Sequence, residues 1–189
     1  MKAFKAKELI IESKTHGKFV ILYDSVDEEK VNKHTWHIVK AHNGQFYVNT
    51  HVPHPDGGYE KNRPGTKRKT LLQFHRYILN APKGKVVDHI NGNPLDNRKK
   101  NLRLVTHRQN SQNQAKARTW RGKSTTSQYR GVTKRDENRY RSKPWMARVT
   151  VNGKGKHIGY YATEEEAAKA WDEHALKTWG EYARLNFPE

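Results

Sequence analysis

The chain contains no cysteine, which excludes disulfides and thiolate zinc sites and fits a reducing compartment. It has little apolar material. Only 33% of its 189 residues are hydrophobic and the mean hydropathy is −1.11, so no single large core is expected. No apolar run approaches the length that spans a bilayer, and no amphipathic stretch suits a membrane surface. The start, Met-Lys-Ala-Phe-Lys-Ala-Lys-Glu, lacks the apolar centre of a signal peptide, so a soluble cytosolic protein without a membrane partner is expected. Negative charge is scarce as well: 19 acidic residues face 37 basic ones, giving a net charge of +18 and a pI near 10.0. That balance points to a polyanion as partner. What is present in quantity is aromatic: five Trp, nine Tyr and five Phe argue for folded modules over a disordered basic tail.

The acids are scarcest in one place. Residues 67–123 hold fifteen basic side chains and two acidic ones, Asp88 and Asp96, whereas the segments on either side are nearly balanced. Stray carboxylates would repel phosphate, so a basic segment that keeps only two of them marks those two as purposeful. The length allows one ordinary domain or two small ones. Composition divides it into an N-terminal β-rich region (1–66), a central module (67–114), a basic linker (115–126) that lies on nucleic acid when bound, and a C-terminal module (127–189).

In the first region Gly17 to Tyr23 reads as a strand. Trp36–Lys40 and Phe46–Thr50 read as a hairpin around His42-Asn43-Gly44-Gln45. Pro53 to Gly65 reads as a loop, and the apolar run Leu71–Leu79 could be helix or strand. In the last region Tyr129–Lys134, Trp145–Val151 and Lys156–Tyr161 are strand candidates, the second and third joined by an Asn152-Gly153 turn. Thr163-Glu-Glu-Glu166 is a capping box opening a helix that Gly180 closes, with Ala167, Ala168, Trp171, Ala175 and Leu176 on its apolar face. The fold class expected is α+β, ending in a three-stranded antiparallel sheet packed on one helix.

The central module carries the chemistry. Val86-Val87-Asp88-His89 is followed by a loop rich in Gly, Asn and Pro, then by Asn101-Leu102-Arg103, Val105-Thr106 and a polar helix with Asn110. Hydrolysing a phosphodiester needs an activated water, neutralised phosphate charge and a stabilised leaving oxygen. Asp88 is a hard oxygen ligand for Mg²⁺ or Mn²⁺, His89 a base near its reference pKa, and the Asn110 amide a second oxygen ligand. Adjacent strand residues point to opposite faces, so Asp88 and His89 can share one site only if the strand ends or twists there, as Gly92 and Pro94 suggest. His107 and His75 are further candidates: His107 reads as an exposed helix residue ahead of a ligand or phosphate contact, and His75 either packs beneath the site or takes part in it.

Together with His75-Arg76, Gly92-Asn93 and Asp96-Asn97, these residues resemble the ββα-metal site of HNH homing and phage endonucleases over residues 70–114. The resemblance implies Asp88 and Asn110 as metal ligands, His89 as general base and Asn101 as a brace of the loop. Many members carry a histidine where this chain has Asn110, as in a subset that uses Asp and Asn. Arg103, Arg108 and Lys100 are candidate phosphate clamps. The residues Tyr129-Arg130-Gly131-Val132, Trp145 to Val149, Ile158 to Ala168 and Ala183 to Pro188 resemble the plant Apetala/ethylene-response-factor DNA-binding domain. By that resemblance Arg130, Thr133, Arg135, Arg148, Thr150, Lys156, His157 and Tyr160 would face the major groove. Thr133 and Thr150 replace family arginines, so the plant target sequence does not transfer.

The function expected is a site-specific DNA endonuclease of HNH type, using Mg²⁺ (or Mn²⁺) on double-stranded DNA, acting as a monomer in the cytosol of a bacterium or a phage-infected cell. The alternative is a transcription regulator with a catalytically silent HNH fold, which the intact Asp88, His89 and Asn110 speak against. An RNA-binding protein is a third reading, disfavoured because a sheet does not enter the deep, narrow A-form groove.

Overall fold

In the computed structural model, residues 4–114, 119–120, 123–136 and 139–188 are described. The chain is mixed α+β and forms two compact units, residues 1–107 and 108–189.

The first unit opens with an antiparallel hairpin of β1 (Ala6–Ser13) and β2 (Gly17–Asp24). A short helix α1 (Glu28–Asn32) leads to β3 (His37–Lys40) and β4 (Phe46–Pro53). β5 (Tyr59–Glu60) and β6 (Arg63–Lys67) pair as a small ribbon inside the segment read as loop. β6 is fully exposed and edge-like, which is why Pro64 is tolerated in it. β7 (Lys69–Gln73) then joins β4 to complete the three-stranded sheet β3-β4-β7, and α2 (Phe74–Ile78) follows without a break. The ambiguous run 71–79 is therefore strand first and helix second. β1 has no counterpart in the sequence reading, because its apolar Leu9, Ile10 and Ile11 run together and blur the alternation.

β8 (Val86–His89) and β9 (Leu102–Val105) form a separate antiparallel ribbon. Val87 and Leu102 dock that ribbon into a core of Ile21, Tyr23, Val31, Trp36, Val48, Phe74 and Ile78. Burying these two side chains stabilises the docking by about 1.5–3 kcal/mol each. Residues 1–66 and the ribbon thus share one core. Trp36 sits at its centre, edge-on to Phe74 at 4.7 Å, with its indole N–H donated to the Val31 carbonyl at 2.9 Å.

α3 (His107–Gln112) crosses into the second unit. The stretch read as linker lies partly outside the described residues, at 115–118 and 121–122; between them β10 (Thr119–Trp120) pairs with β11 (Lys123–Ser124). β12 (Val132–Lys134), β13 (Trp145–Val151) and β14 (Lys154–Tyr161) form the antiparallel sheet, in the order β12-β13-β14. Its turn uses Asn152 (φ 55°) and Gly153 (φ 77°), as a two-residue hairpin requires. α4 (Glu164–Trp179) packs Ala167, Ala168, Trp171 and Ala175 on Val132, Ala147 and Val149. Its capping box is formed: the Glu166 N–H donates to Thr163 Oγ1 at 3.2 Å and the Thr163 N–H to Glu166 Oε2 at 3.3 Å. Leu176, expected on the apolar face, is 53% exposed, whereas Ala175 before it and Trp179 after it pack on the core. Gly131 (φ 74°) is obligatory: a Cβ there would lie 2.0 Å from the Trp171 ring.

Candidate active site

The β8–β9 register pairs Asp88 with Arg103 and His89 with Leu102. The register places His89 on the side of Val87 and Leu102 and Asp88 on the side of Arg103 and Val105, so a shared site depends on the strand's end. β8 ends at His89. The Gly92 N–H (φ 72°) donates to the His89 carbonyl at 2.8 Å and turns the chain away.

Asp88 is buried, and its carboxylate is held by Arg103: Nε and Nη2 both lie 2.9 Å from Oδ2. Arg103, read as a phosphate clamp, is therefore engaged on the aspartate. Buried ion pairs need such hydrogen bonding to offset desolvation. His89 is also buried, with Nε2 3.3 Å from Asn97 Oδ1 and its ring edge-on to His75 at 5.3 Å between centroids. The Asn97 amide nitrogen donates to the Pro94 carbonyl at 3.2 Å, which turns Oδ1 toward the histidine. With Oδ1 facing it, Asn97 favours the tautomer that carries the proton on Nε2. Burial lowers the His89 pKa, opposed by the Asn97 bond and the charges of Asp88 and Asp96. His75 is pushed down to about 3, chiefly by burial, with His89 and Arg76 adding to it. Both imidazoles are neutral at pH 7.

The loop between the strands is a closed polar network. Asn101 Oδ1 accepts the Asn91 N–H at 3.0 Å, and its Nδ2 donates to the Asp96 carbonyl at 2.7 Å. Asp96 is nearly inaccessible and takes a two-point grip from Arg98, Nε to Oδ1 at 2.7 Å and Nη2 to Oδ2 at 2.6 Å, which lowers its pKa. The two acids of the basic segment thus differ in use: Asp96 is sealed into the loop. β2 buttresses the loop from outside, with the Leu22 N–H donating to Leu95 O at 2.9 Å and the Asn97 N–H to Leu22 O at 2.7 Å. Asp24 accepts the Lys99 N–H at 2.8 Å, and Asp27 pairs with Lys99 Nζ at 3.0 Å. Asn97 was read only as part of the motif, with no role of its own, and Asp24 was not singled out. A lone Asp in a distant strand gives no local signal, while the adjacency of Asn97 to Asp96 in an Asn-rich loop hid its contact with His89.

Asn110 lies on α3, half-buried, in the second unit. His107 and Lys100 are exposed, and Arg108 donates from Nη2 to Asn152 Oδ1. Among the described residues no three His, Asp or Glu side chains gather into a metal cage. The Asp88 carboxylate is a hard oxygen donor of the kind that suits Mg²⁺, which keeps several waters and takes phosphate oxygens to complete its shell.

Residues 80–112 match the HNH endonuclease family. The matched segment contains Asp88, His89, Asn97, Asn101 and Asn110, while His75 and the buttressing Leu22, Asp24 and Asp27 lie outside it. The chain is 38% identical over 121 residues to an uncharacterised HNH endonuclease of Acanthamoeba polyphaga mimivirus, covering 61% of this chain and 57% of that protein. It is 34% identical over 90 residues to Protein 3.8 of Escherichia phage T7, covering 48% of this chain and 65% of the phage protein. It spans less than two thirds of either relative. The HNH match and the mimivirus relative support a nuclease.

The C-terminal sheet lies outside the HNH segment. Its register puts Thr133, Met146, Tyr160, Arg148, His157 and Thr150 on the face turned away from α4. Arg135 joins them, its guanidinium 4.0 Å from the centre of the Tyr160 ring. Two of the expected groove residues stand elsewhere. Lys156 pairs with buried Val149 and so belongs to the helix side, because a bulge at Ile158 shifts the register between Ala147 and Arg148. Arg130 stacks over Trp171 at 5.4 Å and donates to backbone carbonyls of its own unit.

Proposed function

We propose that this chain is a site-specific DNA endonuclease of homing or phage type, with His89 as general base and one divalent ion, Mg²⁺ or Mn²⁺, held by Asp88 and Asn110. The observation that carries the reading is the state of His89. It is a buried imidazole oriented by the contact of Nε2 with Asn97, at the end of a strand whose preceding residue is a buried carboxylate.

The His89 imidazole accepts a proton from a water lying in line with the scissile phosphate. The resulting hydroxide forms the new P–O bond as the P–O3′ bond breaks, leaving a 5′ phosphate, and the 3′ oxygen takes a proton from solvent. When bound, the ion would neutralise phosphate charge and stabilise the leaving oxygen. Arg103 holds the Asp88 carboxylate in place through Nε and Nη2. Asn97 holds the His89 tautomer, and Asn101 fixes the loop on which both depend. Exposed Lys100 is free of these duties and contacts neighbouring phosphate.

The C-terminal module, similar in its residues to the Apetala/ethylene-response-factor domain, reads the duplex with Thr133, Arg135, Arg148, Thr150, His157 and Tyr160. A three-stranded sheet fits the B-form major groove. Incubation with supercoiled plasmid carrying the target, in Mg²⁺ and in chelator, tests the proposal. Nicked or linear product in Mg²⁺ alone supports it. Intact DNA under confirmed binding and Mg²⁺ occupancy overturns it.

A further inference from the structure

The last turn of α3 is unusual in what receives its carbonyls. A helix leaves its final C=O groups without intrahelical partners, and a cation there also favours the negative end of the helix dipole. Here Arg130 supplies both. Nη1 donates to the carbonyls of Gln112 at 2.5 Å and Gln114 at 2.7 Å, and Nη2 to that of Ser111 at 3.1 Å. The Arg184 N–H adds a bond to Gln112 O at 3.3 Å. The Arg130 guanidinium lies over the Trp171 ring, and its own backbone N–H donates to Asn186 Oδ1 at 2.6 Å. Asn186 in turn is pinned by Asp172, which accepts its N–H and side-chain amide at 2.9 Å. Gln112 and Asn113 are buried by this arrangement.

We propose that Arg130 is a positioning residue: it clamps the end of α3, and with it Asn110, onto the C-terminal module, instead of reading DNA bases. The three acceptors are within four residues of Asn110, and the Asn113 N–H donates back to Asn110 O at 3.1 Å, so the clamp acts on the turn that carries the amide. Charge-assisted bonds to carbonyls are about twice as strong as neutral ones, and the flat guanidinium serves three acceptors where an ammonium cannot. The C-terminal module is then a structural part of the nuclease helix as well as its reader. The consequence for cleavage rests on the nuclease reading above; the clamp itself does not.

Full-length Arg130→Ala and Arg130→Lys proteins separate the possibilities, with two readouts. Amide hydrogen exchange over residues 110–114 needs no activity. The clamp predicts at least tenfold faster exchange there in Arg130→Ala and partial recovery in Arg130→Lys, with the β13 and β14 amides unchanged. Cleavage at saturating DNA should fall about tenfold or more while DNA affinity, measured in chelator, changes less than threefold. Unchanged exchange at 110–114 overturns the clamp. So does lost affinity with a salt dependence shallower by about one and intact turnover at saturation, which marks a DNA contact. If the wild type cleaves nothing, the exchange result still decides the clamp, and the failure belongs to the nuclease reading.

Discussion

Nε2 of His89 and Oδ1 of Asn97 lie 3.3 Å apart, and the amide nitrogen of Asn97 is committed to the Pro94 carbonyl, so the orientation of one side chain dictates the protonation pattern of the other. Replacing Asn97 with alanine removes the acceptor and lets the imidazole rotate and change tautomer. A net hydrogen bond of about 0.5–1.5 kcal/mol translates to a loss of roughly three- to tenfold in turnover. Single-turnover cleavage at saturating DNA checks this, and the half-saturating DNA concentration should stay within twofold.

Arg103 and Lys100 sit three residues apart in the same basic stretch and should behave differently. Arg103→Met removes the guanidinium that pairs with the buried Asp88 carboxylate, which costs about 3–5 kcal/mol. Lys100→Met changes an exposed charge and should move stability by less than about 0.5 kcal/mol. Urea denaturation of the two variants measures both.

The protein should lose stability as pH falls below the ordinary histidine value. The folded-state pKa of His75 is near 3 and the unfolded value 6.5, so between them the unfolded chain binds a proton that the folded chain refuses. Stability is complete above 6.5 and falls with decreasing pH by up to about 1.4 kcal/mol per unit, flattening below about 3. His89, also lowered, acts in the same direction. Denaturation midpoints of the wild type and His75→Phe, taken between pH 7 and pH 5, should show a shallower slope in the variant.

On the open face of the C-terminal sheet, Arg148→Ala should weaken duplex binding and make log K against log salt shallower by about one. Lys156→Ala, on the helix side of the same hairpin, should leave that slope within experimental error. Titrations at several salt concentrations distinguish them.

The elements that were legible in the sequence are those written in local signals. The Asn152-Gly153 turn, the Thr163/Glu166 capping box and the spacing of Ala167, Ala168, Trp171 and Ala175 each lie within a few residues of what they specify. The bracing of the loop by Asn101 was legible too, because its partners Asn91 and Asp96 lie within ten residues of it. What stayed hidden was the partner of each charge. Arg103 meets Asp88 across a ribbon, Arg130 meets carbonyls sixteen to nineteen residues earlier, and Asp24 holds Lys99 across 75 residues. A basic side chain looks alike in sequence whether it faces phosphate or a carbonyl. The side taken by Lys156 was hidden too, because one bulge residue reverses the alternation and leaves no mark in the composition.

The general-base role of His89 is tested most directly by single-turnover cleavage of a bound duplex by the wild type and His89→Ala, in Mg²⁺, at matched DNA occupancy. A general base contributes about 10²–10⁴ in rate, so the variant should bind as well and cleave at least about a hundredfold more slowly. Equal cleavage by the two proteins at equal occupancy would contradict the account.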